Sequence, residues 1–162
     1  MDSILVRVDN RLVHGQILEA WVPSLKAVSI IVVNGEVAGD LFRESVIRMV
    51  VPSYIELYVF DVEEFSKSCS YKDWKFGSSI ILFDTIGDAL KAYKLGFAYD
   101  RINIGNVHDD EGKCCVSSSI FLDRKDAKDL RTLQDSGVTV EIQCVPNDRP
   151  VDFRDAEEKI KL

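Results

Sequence analysis

Near the start of the chain, the run Arg7-Val-Asp-Asn-Arg-Leu-Val-His-Gly-Gln16 brings together two arginines, an aspartate, a glycine and one of only two histidines in 162 residues. These residue types suit phosphoryl chemistry. A neutral imidazole is a competent nucleophile near neutral pH. Arg11, and Arg7 more weakly, could offer paired N–H groups to phosphoryl oxygens. His14 directly precedes a predicted helix, whose first N–H groups are unpaired and whose dipole favours an anion. Gly15 lets the backbone approach a ligand closely. Asp9 could orient the imidazole or hold an arginine, with Asn10 and Gln16 shaping the loop around it.

Each residue also has a plainer use. A loop histidine is commonly just solvated, Arg7 lies within a strand pattern where it could be a structural ion-pair partner, and Asp9 could cap a turn. His108, beside Asp109 and Asp110, reads as a surface loop residue.

The elements that must carry these residues follow from the order of apolar runs. Ser3–Val8, Val28–Val33, Ile55–Phe60, Ser79–Phe83 and Arg101–Ile104 read as strands, several of them continuously apolar as in a parallel sheet covered on both faces. Gly15–Val22, Gly39–Val50, Asp61–Ser68, Thr85–Leu95 and Lys125–Gln134 read as helices. Asp61 and Asp123 sit where caps are needed, Gly96 and Gly137 where helices stop, and Pro23 is expected to limit the first helix. The alternation predicts an α/β fold: an open, doubly wound, mostly parallel sheet with helices on both faces. Cys114–Ser119 is expected to add an edge strand or hairpin, and Val138–Val145 a last strand. Residues 1–150 are expected to form a single domain, followed by a charged C-terminal tail over 151–162.

In such sheets, ligands bind beyond the carboxyl ends of the strands, at the switch in strand order. Asp9, Asn10, Arg11 and His14 follow the first strand, Asn34 the second, Asp84 the fourth, and Asn106 the fifth. The motif therefore lies on the expected rim. Asn34, Asp84 and Asn106 either complete that rim and touch a partner or satisfy backbone groups at strand ends.

Composition narrows the classes. A net charge of -7 argues against broad nucleic-acid or anionic-membrane binding. No run approaches a membrane span, and no signal peptide is visible. The four cysteines contain no C-x-x-C pair, so reduced thiols in the cytoplasm are expected. Dinucleotide, phosphate-loop and nucleophile-elbow motifs are absent, and the histidines lack metal-ligand spacing.

The opening motif closely resembles the active-site loop of IIB subunits of the mannose/fructose/sorbose-type sugar phosphotransferase system (PTS). Ile31-Val-Val-Asn-Gly-Glu-Val-Ala38, Ile81-Leu-Phe83, Ile102-Asn-Ile-Gly-Asn106 and Gly137-Val-Thr-Val-Glu-Ile-Gln143 extend the resemblance in order over about residues 1–150. Gly35, where the family commonly has an acidic residue, and His108 depart from the pattern. The resemblance implies an enzyme, a protein-phosphohistidine–sugar phosphotransferase. His14 would accept a phosphoryl group at its δ nitrogen from a phosphorylated IIA protein or domain. It would pass the group to a sugar held by membrane IIC and IID subunits. Arg11 would neutralise charge on the moving group. No cofactor, metal or nucleic acid is implied. The protein would be cytoplasmic and held peripherally at the inner face of the membrane through its partners, with a homodimer open. Two other readings remain: a regulatory phosphohistidine module not coupled to transport, and a non-catalytic α/β binding protein.

Overall fold

Strand β2 (Ser29–Val33) is buried at every residue, with Ile31 and Val33 in one apolar cluster and Ile30 and Val32 in another. β4 (Ser79–Phe83) divides in the same way, Ile81 and Phe83 against Ile80 and Leu82. Successive side chains on a strand point to opposite faces. A sheet with both faces apolar must therefore be covered twice.

The computed structural model describes residues 1–158 and 160. β1 (Ile4–Asp9), β3 (Glu56–Phe60), β5 (Arg101–Asn106), β8 (Thr139–Ile142) and β9 (Val151–Asp152) join β2 and β4 in a seven-stranded sheet of order β3-β2-β4-β1-β5-β8-β9. All pairings are parallel except β8 with β9. α4 (Val62–Ser68), α5 (Ile86–Lys94) and α6 (Arg124–Asp135) supply Phe65, Ile86, Ala89, Leu130 and Leu133 to the cluster on one face. The other face is covered by Ile17, Trp21 and Val22 and by Val37. β6 (Cys114–Ser117) and β7 (Ile120–Leu122) form a separate antiparallel hairpin, tied to the main sheet by the bridge Val107–Ile120. The doubly wound α/β architecture is as the sequence predicts.

Three local expectations give way. The first helix does not stop before Pro23. A π-helical turn, Ile17–Trp21, leads directly into α1 (Val22–Leu25), which ends at Lys26 in the left-handed conformation. Val22 donates to Ile17 O, five residues back, and this wide turn accommodates a proline ring that an α-helical ladder would exclude. The predicted helix Gly39–Val50 starts only at Leu41, as α3 (Leu41–Val50) behind an Asp40 cap, and a short helix that was not predicted, α2 (Gly35–Ala38), precedes it behind an Asn34 cap. Finally, the segment set apart as a tail from residue 151 supplies β9 and α7 (Phe153–Glu157), with Phe153 fully buried and Ala156 buried in the main cluster. The β8–β9 pairing and the burial of Phe153 and Ala156 fold it in. Lys159, Lys161 and Leu162 lie outside the described residues.

Candidate active site

β1 is central, between β4 and β5, and the chain leaves it toward β2 on one side while β5 leads to β8 on the other. The reversal of strand order falls at the carboxyl ends of β1 and β5, where a ligand crevice belongs. There the β1–β5 register shifts between Val8 and Asp9, bringing Asp9 opposite Asn106.

Asp9 is the hub. Its side chain is completely buried. Oδ1 accepts from the Arg11 backbone N–H and from Arg11 Nε, both at 3.1 Å. Oδ2 accepts from Arg7 Nη2 at 3.2 Å, Arg11 Nη2 at 3.1 Å and His14 Nε2 at 2.8 Å. Burial pushes the carboxyl upward, but the bonds from His14 and Arg11 and the charge of Arg7 outweigh it and hold it at about 2.

That carboxylate fixes the imidazole. A carboxylate only accepts, so the His14 proton resides on Nε2 and the lone pair on Nδ1. The Gln16 backbone N–H points at Nδ1 from 3.3 Å, a long bond that leaves the nitrogen available. The His14 side chain keeps 16% of its surface exposed. Leu12, two residues earlier, adopts a left-handed φ of 58° although it is not glycine. Its N–H returns to Asp9 O at 2.9 Å and its side chain is buried, so packing holds the strained turn that presents His14.

The two arginines part company. Arg11 is 37% exposed. It grips Asp9 with two nitrogens and Gln16 Oε1 with Nη2, and among the described residues its Nη1 makes no hydrogen bond. Arg7 is fully buried, so it cannot reach a phosphoryl group; of the uses offered by sequence it takes the structural one. It bonds Asn103 Oδ1 at 2.5 Å and the carbonyls of Gln143 and Cys144, both at 2.9 Å. Its guanidinium lies 5.2 Å from the Trp21 ring centroid. Burial lowers its pKa, with Asp9 acting in opposition. Gly105 makes this possible: a Cβ there would fall 1.9 Å from Arg7 Cζ.

The rest of the loop is tied to β5. Asn106 Nδ2 donates to Asn10 Oδ1, and Asn10 N donates to Asn106 O at 3.1 Å. Asn10 Nδ2 then meets His108 Nδ1 at 2.7 Å, placing the second histidine on this rim. Gln16 links Arg11 to the Cys144 thiol at 3.6 Å. A Cβ added to Gly15 would meet nothing within 4 Å, so no internal contact demands glycine and the space beside it is open.

The structure thus brings together Arg7, Asp9, Asn10, Arg11, His14, Gln16 and Asn106. Asn34 and Asp84 form their own pair at 3.2 Å on the ends of β2 and β4, with Asn34 also capping α2. Burial and the neighbouring Glu36 raise the Asp84 pKa. Sequence reasoning missed Trp21, Asn103 and the Gln143 and Cys144 carbonyls as supports of the site, because nothing local marks a distant carbonyl as an acceptor. Gly105 in the Ile-Gly-Asn run was the available signal. Among the described residues no group of three or more potential metal ligands occurs, and no helix is long and apolar enough to cross a membrane.

Residues 3–161 match the family model described as the PTS system sorbose subfamily IIB component. The fructose-specific EIIB component of Bacillus subtilis is 29% identical over 153 residues, covering 94% of each chain. The mannose-specific EIIAB component of Escherichia coli K12 is 28% identical, covering 96% of this chain and 48% of its own length. In structure, the IIB domain of the sorbose permease from Klebsiella pneumoniae aligns over 98% of each chain with a TM-score of 0.88 and 26% identity.

Proposed function

The chain belongs to the sorbose subfamily of PTS IIB components, and we propose that within it Nδ1 of His14 is the atom that carries the phosphoryl group. As a IIB component it is a phosphocarrier of sugar uptake, a phosphotransferase that hands phosphate toward sugar. The observation that carries the assignment is the Asp9 bond to Nε2, which leaves the lone pair on Nδ1 of a partly exposed side chain.

In the first step, that lone pair attacks the phosphorus of a phosphohistidine on a IIA partner. A nitrogen–phosphorus bond forms at His14, and the partner's own bond breaks with its electron pair returning to the partner's imidazole. His14 keeps its Nε2 proton throughout, and Asp9 stabilises the positive charge that develops on the ring. Arg11 Nη1 offers a donor to the phosphoryl oxygens in transit, and the open side of Gly15 admits the incoming group. In the second step, a sugar hydroxyl attacks phosphorus and gives up its proton to solvent or to a base beside the sugar, the bond to Nδ1 breaks, and its electron pair returns to the nitrogen. IIB components work with IIA and membrane IIC/IID components, and the mannose relative carries IIA and IIB in one chain. Through those subunits the protein would sit peripherally at the inner face of the membrane, with residues 3–161, the span of the family match, acting as one IIB domain.

Incubation with phosphoenolpyruvate, the general phosphotransferase proteins and a IIA protein, followed by intact-mass measurement in alkali, tests the assignment. One added phosphoryl is expected in the wild type and in His108→Ala, and none in His14→Ala. Nitrogen-15 spectra of the labelled protein should place it on Nδ1. Labelling that persists in His14→Ala would end the proposal.

A further inference from the structure

α3 contributes no buried residue to the protein. Its exposed apolar residues include Leu41 at 79%, Phe42 at 77%, Val46 at 46%, Met49 at 83% and Val50 at 53%. Positions 42, 46, 49 and 50 follow the i, i+4, i+7, i+8 spacing of one helical stripe. Such a stripe normally faces a core, but here only Ile47, on another side of the helix, packs inward. The charged side chains beside it have local partners, Arg48 with Glu44 at 3.0 Å and Arg43 with Glu36 at 2.9 Å through Nη1 alone, so that among the described residues Arg43 Nη2 makes no hydrogen bond. What remains is an apolar surface of the kind that marks an interaction site.

Its position gives it a partner. Between α3 and the reactive loop runs a cleft of about 290 Å³, lined by Asn10, Arg11 and Leu12 on one wall and by Phe42, Arg43 and Val46 on the other. The apolar face is thus continuous with the surface that must meet the phosphoryl donor. The two cations at the junction, Arg11 and Arg43, select between the two bodies that must approach His14. The donor arrives bearing a dianionic phosphoryl group, whereas the acceptor presents a neutral sugar. A membrane surface fits poorly, since the protein carries a net charge of -7.

We propose that the Phe42–Val46–Met49 face of α3 is the docking surface for the phosphorylated IIA protein. An apolar patch on that protein would cover the stripe while its phosphohistidine reaches past Arg43 and Arg11 to His14. The proposal rests on the reading of His14 as the acceptor. Loss of the donor's charge on transfer removes its attraction to the two arginines, so the phosphorylated donor should bind more tightly than the unphosphorylated one.

The test uses a IIA protein already shown to phosphorylate the wild-type chain on His14. Initial rates are measured against phospho-IIA concentration for Phe42→Ser and Met49→Ser, with Leu95→Ser, half-exposed on another helix, as control. The two α3 variants should raise KM about tenfold, the effect of removing one interface anchor, with the rate at saturating donor held within about twofold. The control should keep the wild-type KM. Unchanged KM in both α3 variants would overturn the proposal. So would a defect seen only in phosphoryl transfer to sugar by membrane vesicles, which would give the face to the membrane subunits. A wild-type dimer in sedimentation that the α3 variants abolish would give it to a second copy. Failure of the His14 reading would show separately, as a wild-type chain that no IIA labels at that residue.

Discussion

Replacing Asp9 with asparagine tests the centre of the site, because the change alters charge and hydrogen-bonding character but little volume. Five hydrogen bonds converge on the carboxylate: Oδ1 takes two from Arg11, and Oδ2 takes one each from Arg7, Arg11 and His14. An amide in that place has one accepting oxygen. Its NH2 group must face either the Arg11 N–H pair or the three donors now at Oδ2, so N–H opposes N–H in both orientations. The fully buried Arg7 also loses the one ion-pair partner it has among the described residues. Breaking one side of a buried pair costs about 3–5 kcal/mol. For a domain of this size each kcal/mol lowers Tm by roughly 2–4 °C, so the expected loss is about 10 °C.

Thermal denaturation followed by circular dichroism reads this directly, and a double-mutant cycle isolates its cause. Arg7→Met alone should be destabilising, since it leaves Asp9 buried with one cation fewer. In the Arg7→Met/Asp9→Asn double variant the two losses should fall short of additive by at least about 1 kcal/mol, as expected of partners in contact. An Asp9→Asn protein melting within 2 °C of wild type, or strict additivity in the cycle, would refute the claim that Asp9 compensates Arg7. His14 phosphorylation, measured well below the lowered Tm, should also slow, because nothing then confines the imidazole proton to Nε2.

Gly105→Ala should destabilise by about 1–3 kcal/mol or more, since its Cβ would occupy the Arg7 guanidinium; urea titration reads the loss, and a neutral result would mean that Arg7 does not lie against that strand. Arg11→Ala should cost the fold about 1–2 kcal/mol but slow phosphoryl transfer about 10²-fold, the size of losing one transition-state donor, and normal single-turnover rates would remove Arg11 from the chemistry. Acid unfolding should carry the mark of Asp9, whose folded pKa of about 2 lies below the unfolded 3.8. The stabilisation of roughly 2 kcal/mol is therefore complete above pH 3.8 and disappears as pH falls toward 2; Asp9→Asn should lack that segment of the stability-versus-pH curve.

The alternation of apolar runs was enough to place the sheet, because strands buried on both faces leave continuous Val and Ile segments that few other structures tolerate. β4 falls on the predicted residues without adjustment. Caps were equally legible where a short polar side chain meets the first turn, as at Asp61 and Asp123. Asn34 and Asp40 carry the same signal, but the single turn of α2 between them is too short to show a helical period, so only α3 was legible. The π-helical turn ahead of Pro23 had no local signature, since the same residue types also suit an ordinary α-helical turn. The reactive loop was visible because its chemistry is contiguous in sequence. Its foundation was not, since Asn103, Gly105, Gln143 and Cys144 reach Arg7 only after β5 and β8 have paired.

That division between loop and foundation bears on how a carrier can both accept and release. A phosphoryl group is drawn to cations, and a site of Arg7, Arg11 and His14 without a counter-charge would hold it strongly enough to impede the second transfer. The structure places Asp9 among all three and buries Arg7 away from solvent, so on the proposed assignment a phosphoryl group would meet the outward edge of one arginine whose inner edge is already committed. The same carboxylate keeps Nε2 protonated, leaving Nδ1 as the basic nitrogen before and after transfer. On the proposed assignment, preorganisation lies in buried groups, and the reacting nitrogen belongs to a partly exposed side chain that two different partners would reach in turn. A more basic loop would bind the phosphoryl better and carry it worse.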